Sequence, residues 1–233
     1  EAGIGRHRRG AAEGGDRETG NQVAEGSTGR ALTIRSMSSA PLLPVPLDRA
    51  YRLLNHGPVT LVSSAHAGRD DVMAAAWAMP LDFMPPKVVL VIDRSTFTRE
   101  LVEASGEFVL NIPSSAQAAG VLAAGSGSGR EQADKIGACG FERLAATQVG
   151  APRIAGCLAW LECRVLPDAE NQRRHDLFIA EVVAAQADAR VFRDGRWHVD
   201  DTPGSTVPRT LHYVAGGAFL ETGRAIEVGP DRR

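Results

Sequence analysis

The chain has 233 residues, a formal net charge of −2 and mixed charges throughout. That is enough for one domain with a sizeable core. The charge balance excludes a general nucleic-acid or anionic-membrane binder, and no apolar run approaches the roughly 18 residues needed to span a bilayer as a helix.

Residues 1–36 are rich in Gly, Arg, Glu and Ser and nearly free of large apolar side chains. Such a segment cannot bury enough surface to offset its ordering entropy, and it reads as a disordered N-terminal extension. Met37 follows at once and is a candidate natural start, with residues 37–233 as the folded domain. Charges and glycines at the N-terminus, with no apolar segment of secretory type, lead to the expectation of a cytoplasmic protein. The three cysteines, Cys139, Cys157 and Cys163, are odd in number and form no CxxC pair. Free thiols in a reducing compartment are expected.

Pro41, Pro44 and Pro46 make an extended lead-in. Ala50, Leu53 and Leu54 then give a helical apolar spacing over Leu47–Asn55, which Gly57-Pro58 ends. Val59–Ala65 is rich in β-branched residues and reads as a strand. His66–Asp71 forms a turn around Gly68, and Val72–Met79 returns as the next strand. Pro80, Pro85 and Pro86 break the chain before Lys87–Asp93, whose nearly all-apolar run predicts a buried strand. Ser95 or Thr96 caps a helix to about Ala104, and Gly106 stops it. Glu107–Pro113 is a strand, and Ser114 or Ser115 caps a second helix through about Ala124. GSGSG at Gly125–Gly129 reads as a flexible loop. It fails the G-x-G-x-x-G dinucleotide pattern, because Arg130 stands where the third Gly belongs and a helix precedes it. Glu131–Cys139 reads as a helix with a Gly140 stop. Ile154–Leu166, Asp176–Ala185 and Arg190–Val199 are strand candidates, the last with a hairpin signal at Asp194-Gly195. Leu211–Phe219 carries Gly216-Gly217. Many strands, few helices and adjacent connections predict a mainly β fold, an antiparallel barrel of Greek-key type with a few short helices.

Two segments carry chemistry. Ala74, Ala75, Ala76 and Trp77 are small residues ending in an aromatic, so a flat ring could approach the backbone closely there; packing under a neighbouring strand explains the same run. Asp93-Arg94-Ser95-Thr96-Phe97-Thr98-Arg99 follows a buried strand and opens a helix. Its hydroxyls, guanidiniums and helix N-terminus suit a phosphate, and ordinary helix capping is the alternative. Arg173-Arg174-His175 could meet a nucleotide or form an exposed turn. His66, His198 and His212 lack metal-ligand spacing.

From about Leu47 to Val228 the chain resembles the flavin reductase-like, flavoredoxin-type FMN-binding split barrels. The resemblance rests on GPVTLVSS, MAAAWAMPLDFMPPKVVLVI, STFTRELVEASGEFVLNIP, DKIGACGF, LAWLECRV, RHDLFIAEVV and LHYVAGGAF, in that order. It implies an FMN-binding split β-barrel that works as a homodimer. It further implies that Ala74, Ala75, Ala76 and Trp77 line the isoalloxazine, that Asp93, Ser95, Thr98 and Arg99 hold the ribityl and phosphate end, and that Asn111 faces the cofactor. His175 matches a His near the nicotinamide in reductase members, although Arg173 and Arg174 replace the Gly-Asp that precedes it there. The implied activity is hydride transfer from NADH or NADPH to flavin, as an oxidoreductase that could serve as the reductase component of a two-component monooxygenase. An FMN-containing electron carrier reduced by a protein partner is the alternative, and a barrel binding haem or another ligand is a third reading.

Overall fold

The computed structural model describes Pro46, Leu53 and residues 57–226. The described residues belong to one compact unit, Pro44–Arg233. The expected extension over 1–36 and the helix over Leu47–Asn55 lie outside the described residues, Leu53 apart.

A seven-stranded antiparallel sheet dominates. Its members are β1 (Thr60–His66), β2 (Arg69–Ala75), β3 (Ala78–Phe83), β4 (Pro86–Val91), β5 (Glu107–Ile112), β8 (Ala159–Leu166) and β9 (Leu177–Ala187), in the spatial order β2-β1-β5-β8-β9-β4-β3. β2 and β3 occupy opposite ends of that order, yet only Ala76 and Trp77 join them. The ends must therefore meet, and the sheet curls into a barrel split along the β2–β3 seam. The Val91 amide donates to the Trp77 carbonyl at 3.0 Å and ties this link to β4. Inside the barrel, Val62, Ala75, Val88, Leu90, Phe108, Leu110, Cys163, Phe178 and Ala180 from six strands form one core. Phe108 and Phe178 are at most 1 % exposed, and each such burial contributes on the order of 1.5–3 kcal/mol.

A second core sits outside the barrel. There Leu61 and Val72 pack against Val121 and Ala124 of α2 (Ala118–Ala124), Ile136 of α3 (Lys135–Ala138) and Leu211. Short pairs β6 (Arg143–Leu144) with β7 (Arg153–Ile154), β10 (Phe192–Arg193) with β11 (Arg196–Trp197), and β12 (Leu211–Ala215) with β13 (Ala218–Glu221) decorate the barrel. Asp194-Gly195 and Gly216-Gly217 turn two of these hairpins with positive φ at both positions, the primed-turn geometry that their residue types favour. The α1 helix (Phe97–Ser105) is capped by Thr96, whose side chain accepts from the Arg99 amide, and ends at Gly106 with φ 70°. The expected mainly β, antiparallel barrel with few short helices is the observed architecture.

Several boundaries differ from the sequence reading. The single strand expected over Val72–Met79 is two strands, since the chain turns at Ala76-Trp77 and crosses the barrel seam. Pro80 does not break the chain. It sits inside β3, paired with Val88 beside a bulge, and an edge strand tolerates its missing N–H. The strand expected over Ile154–Leu166 is interrupted around Gly156, where φ is +77°. The helix expected over Glu131–Cys139 shrinks to α3. A helix, α4 (Ala169–His175), stands where an exposed turn was expected, and Asp176 ends it with φ 54° rather than opening β9.

Candidate functional site

β2 is an edge strand of the sheet, and three cavities meet at its C-terminal half. One, of about 340 Å³, is lined by Met73, Ala74, Ala75, Ala76, Trp77, Val91, Asp93, His175 and Asp176. The second, of about 350 Å³, is polar and is lined by Asp71, Met73, Ala74, Ser95, Thr96, Phe97, Thr98, the Gly125–Ser128 loop, Glu131 and Lys135. The third, of about 220 Å³, lies between Ala74–Ala76, α2 and the aromatic pair Tyr213 and Phe219. All three share Ala74. The small side chains leave room where the cavities converge, and Trp77, 52 % exposed, stands at the rim. A fourth cavity of about 320 Å³, beside Trp197 and His212, shares none of these described lining residues.

The polar cavity is built on the turn that opens α1. Asp93 Oδ1 accepts from the Ser95 amide at 2.8 Å and from the Ser95 hydroxyl at 2.6 Å. These bonds hold its carboxyl below the ordinary aspartate range. The Thr96 hydroxyl donates to the Asp93 carbonyl at 2.8 Å. The turn thus presents the first amides of α1, with their partial positive charge, to the cavity. Opposite stand Asp71 and Lys135, both about nine-tenths buried or more. Asp71 Oδ2 accepts from the Thr98 hydroxyl at 2.6 Å. Asp71 Oδ1 has no hydrogen-bond partner, and Lys135 Nζ lies 3.6 Å from it. At that distance the pair attracts, but the ammonium keeps donors for an anion in the cavity. Gly129 packs tightly behind two of the lining residues: a Cβ there would lie 2.6 Å from Asp71 Oδ1 and 2.7 Å from the Phe97 ring.

The structure brings most of the sequence-derived candidates together. Ala74, Ala75, Ala76, Trp77, Asp93 and His175 line one cavity, and Ser95 and Thr98 line its polar neighbour. Asn111 and Arg99 are placed elsewhere. Asn111 is fully buried, and its amide nitrogen bonds the Leu61 carbonyl, the Ser63 hydroxyl and the Val109 carbonyl. Its Oδ1 accepts from the Ile154 amide at 2.8 Å. A side chain so committed holds β7 to the barrel instead of facing a cofactor. The Arg99 guanidinium, on a residue 7 % exposed, is spent on Glu103, Asp176 and the Ile92 and Gln172 carbonyls. Burial opposes its charge, but Glu103 and Asp176 outweigh burial and raise its pKa.

Lys135 and Asp71 carry no signal in the sequence, and Gly125–Gly129 reads there as a flexible loop. Nothing local marks the charged pair. A lysine in a short polar helix and an aspartate in a turn both read as solvated until the barrel brings β2 against α3.

A family described as "Flavin reductase like domain" matches residues 52–212. An uncharacterized protein of Escherichia coli K12, YddH, is 43 % identical over 190 residues, which cover 80 % of this chain and 98 % of YddH. The crystal structure of the FMN-binding domain of a flavin reductases-like enzyme from Shewanella baltica OS155 superposes with a TM-score of 0.70 at 46 % identity, covering 79 % of this chain and 96 % of that one. The reductase component of a Rhodococcus opacus 4-nitrophenol 4-monooxygenase/4-nitrocatechol 2-monooxygenase is 30 % identical over 150 residues, 61 % of this chain and 74 % of that protein. Among the described residues no helix is long and apolar enough to cross a membrane. The match over residues 52–212 and a relative aligned along nearly its whole length say the same thing: this chain belongs to the flavin reductase-like domain family.

Proposed function

We propose that the chain binds FMN in the cleft along β2 and acts as a cytoplasmic NAD(P)H-dependent flavin reductase. One observation carries this reading: a small-residue cavity bearing His175 and a polar cavity bearing the α1 N-terminus and buried Lys135 meet at Ala74. A ligand that is flat and aromatic at one end and anionic at the other matches that junction. The residues fit FMN. Ala74, Ala75 and Ala76 let a ring lie close to the β2 backbone, and Trp77 shields its edge from water. The first amides of α1 and Lys135 would hold the phosphate, by directed donors and by charge, on the turn that Ser95 and Thr96 fix through Asp93. Bound there, FMN would supply the hydride-accepting and electron-passing chemistry. His175, exposed at the mouth of the same cavity, would orient a reduced nicotinamide.

The edge strand β3 and its turn expose Trp77, Met79, Leu81, Phe83 and Met84, with Phe83 95 % and Met84 85 % exposed. An apolar edge of this kind supports a homodimer. The Rhodococcus relative supports a partner role, in which the reduced flavin serves a monooxygenase component. Oxidation of NADH and NADPH with added FMN tests the activity. Turnover with at least one nucleotide is expected, and none with either on FMN-loaded protein would overturn the reading.

A further inference from the structure

The α4 helix buries none of its seven residues. A helix so short is marginal alone, and without a packed face its position depends on polar anchors. Those anchors sit at its C-terminal end, where carbonyls lack intrahelical partners. Arg99 Nη2 donates to the Gln172 carbonyl at 2.8 Å, and Arg94 Nη2 donates to the Arg173 carbonyl at 3.0 Å. Asp176, in the left-handed conformation just past the helix, lies 2.6 Å from Arg99 Nη1 and 3.1 Å from Arg94 Nη2. Arg99 is itself immobilised, since Nη1 also donates to the Ile92 carbonyl at 3.0 Å and Nε to Glu103 at 2.7 Å. Both arginines belong to the segment that opens α1, so one rigid turn grips the residues on either side of His175.

We infer that Arg99 and Arg94, acting through Asp176 and the α4 carbonyls, are positioning residues that fix His175 at the mouth of the cavity lined by Ala74–Trp77. The catalytic consequence rests on the nicotinamide role proposed above for His175; the positioning itself does not. Arg99 therefore serves the site from behind, without touching the flavin. The side chains of Arg173 and Arg174 are paired with Glu170 on the same helix, so they do not compete for Asp176.

The test uses Asp176→Gly in the full chain. Glycine accepts positive φ without strain, so the substitution removes the carboxylate and keeps the helix end. Three readouts are taken: hydrogen exchange over residues 169–176, the NMR resonance of the His175 ring, and FMN affinity. Exchange over α4 should accelerate by about tenfold or more and the ring resonance should shift; FMN affinity is read in Arg99→Lys, whose side chain lines none of the three cavities, and should stay within about threefold. Arg99→Lys, which keeps the charge but loses the fork, should fall between wild type and Asp176→Gly. In turnover, the nicotinamide KM should rise toward that of His175→Ala, and the double variant should be no worse than the worse single, because the two changes remove one function. Unchanged exchange and an unshifted ring would overturn the positioning. In Arg99→Lys, a loss of FMN affinity as large as the change in KM would overturn it as well, by making the clamp part of the flavin site. A loosened α4 in a protein whose kinetics ignore His175→Ala would uphold the positioning and remove only the nicotinamide role.

Discussion

Thr98 and Lys135 divide the work at the polar cavity in a way that residue type alone does not reveal. The Thr98 hydroxyl has one proton, and it goes to Asp71 at 2.6 Å. Thr98→Val should therefore act mainly on the fold. It leaves a buried carboxylate without its donor, at a cost of about 1–3 kcal/mol, measurable by denaturant unfolding, while FMN affinity falls less than in Lys135→Met. Lys135→Met should weaken FMN by about tenfold or more and leave riboflavin nearly unaffected, since the lost charge matters only to the phosphate; comparative titrations check this. The hydroxyl cluster was legible as a phosphate turn because Asp93, Ser95 and Thr96 are local to one another. Lys135 and Asp71 were not, because their pairing exists only after folding. The cysteines read correctly as free thiols. Burial pushes Cys157 and Cys163 up to about 12 from an ordinary value near 9, so neither should react with a thiol reagent at pH 8 in the native state. Half-buried Cys139 should be the site of any slow labelling. Because both folded values are raised, their contribution to stability is complete below about pH 9 and is lost as pH rises toward 12. Thermal unfolding followed from pH 8 to 11 should show the melting temperature falling.

At the scale of elements, local chemistry wrote the hairpins and tertiary contacts wrote the exceptions. Asp194-Gly195, Gly216-Gly217 and the Gly106 stop are visible in the sequence because each needs a backbone conformation that few residues supply. The turn between β2 and β3 carries no such mark. Ala76 and Trp77 have no turn preference, and the break comes from barrel closure. The α4 helix has only Ala169 as an apolar residue and so no period to read, and its anchors lie on α1 and the turn before it. The loop before α3 shows the reverse case, where a flexible composition hides a tight fit. Gly129→Ala should be destabilising by about 1–3 kcal/mol, because its Cβ would press on Asp71 and the Phe97 ring, both buried. It should also weaken FMN binding, which a melt and a titration on the same sample would report. An unchanged melting temperature would mean the loop yields more easily than its packing indicates.

For the whole molecule, the barrel follows from a topological fact: strands at opposite ends of the sheet are joined by two residues. That closure aligns β2, the α1 N-terminus, α3 and α4 around one cleft, and it explains why candidates scattered along the sequence converge. It also leaves β3 as an apolar edge. If β3 forms the proposed dimer contact, Phe83→Glu should shift the protein from dimer to monomer in sedimentation velocity, and a wild type already monomeric would contradict that contact. Barrel class and family were legible because strand patterning and the order of several loose motifs agree along most of the chain. The cleft was legible only in part, since half of it is made by residues that no single motif contains. Occupancy of the cleft by one flavin per chain is read by a fluorescence-quenching titration of FMN into the purified protein. The expected result is saturable quenching at one FMN per chain, weakened by Lys135→Met. Fluorescence that remains that of free FMN at every protein concentration would contradict it.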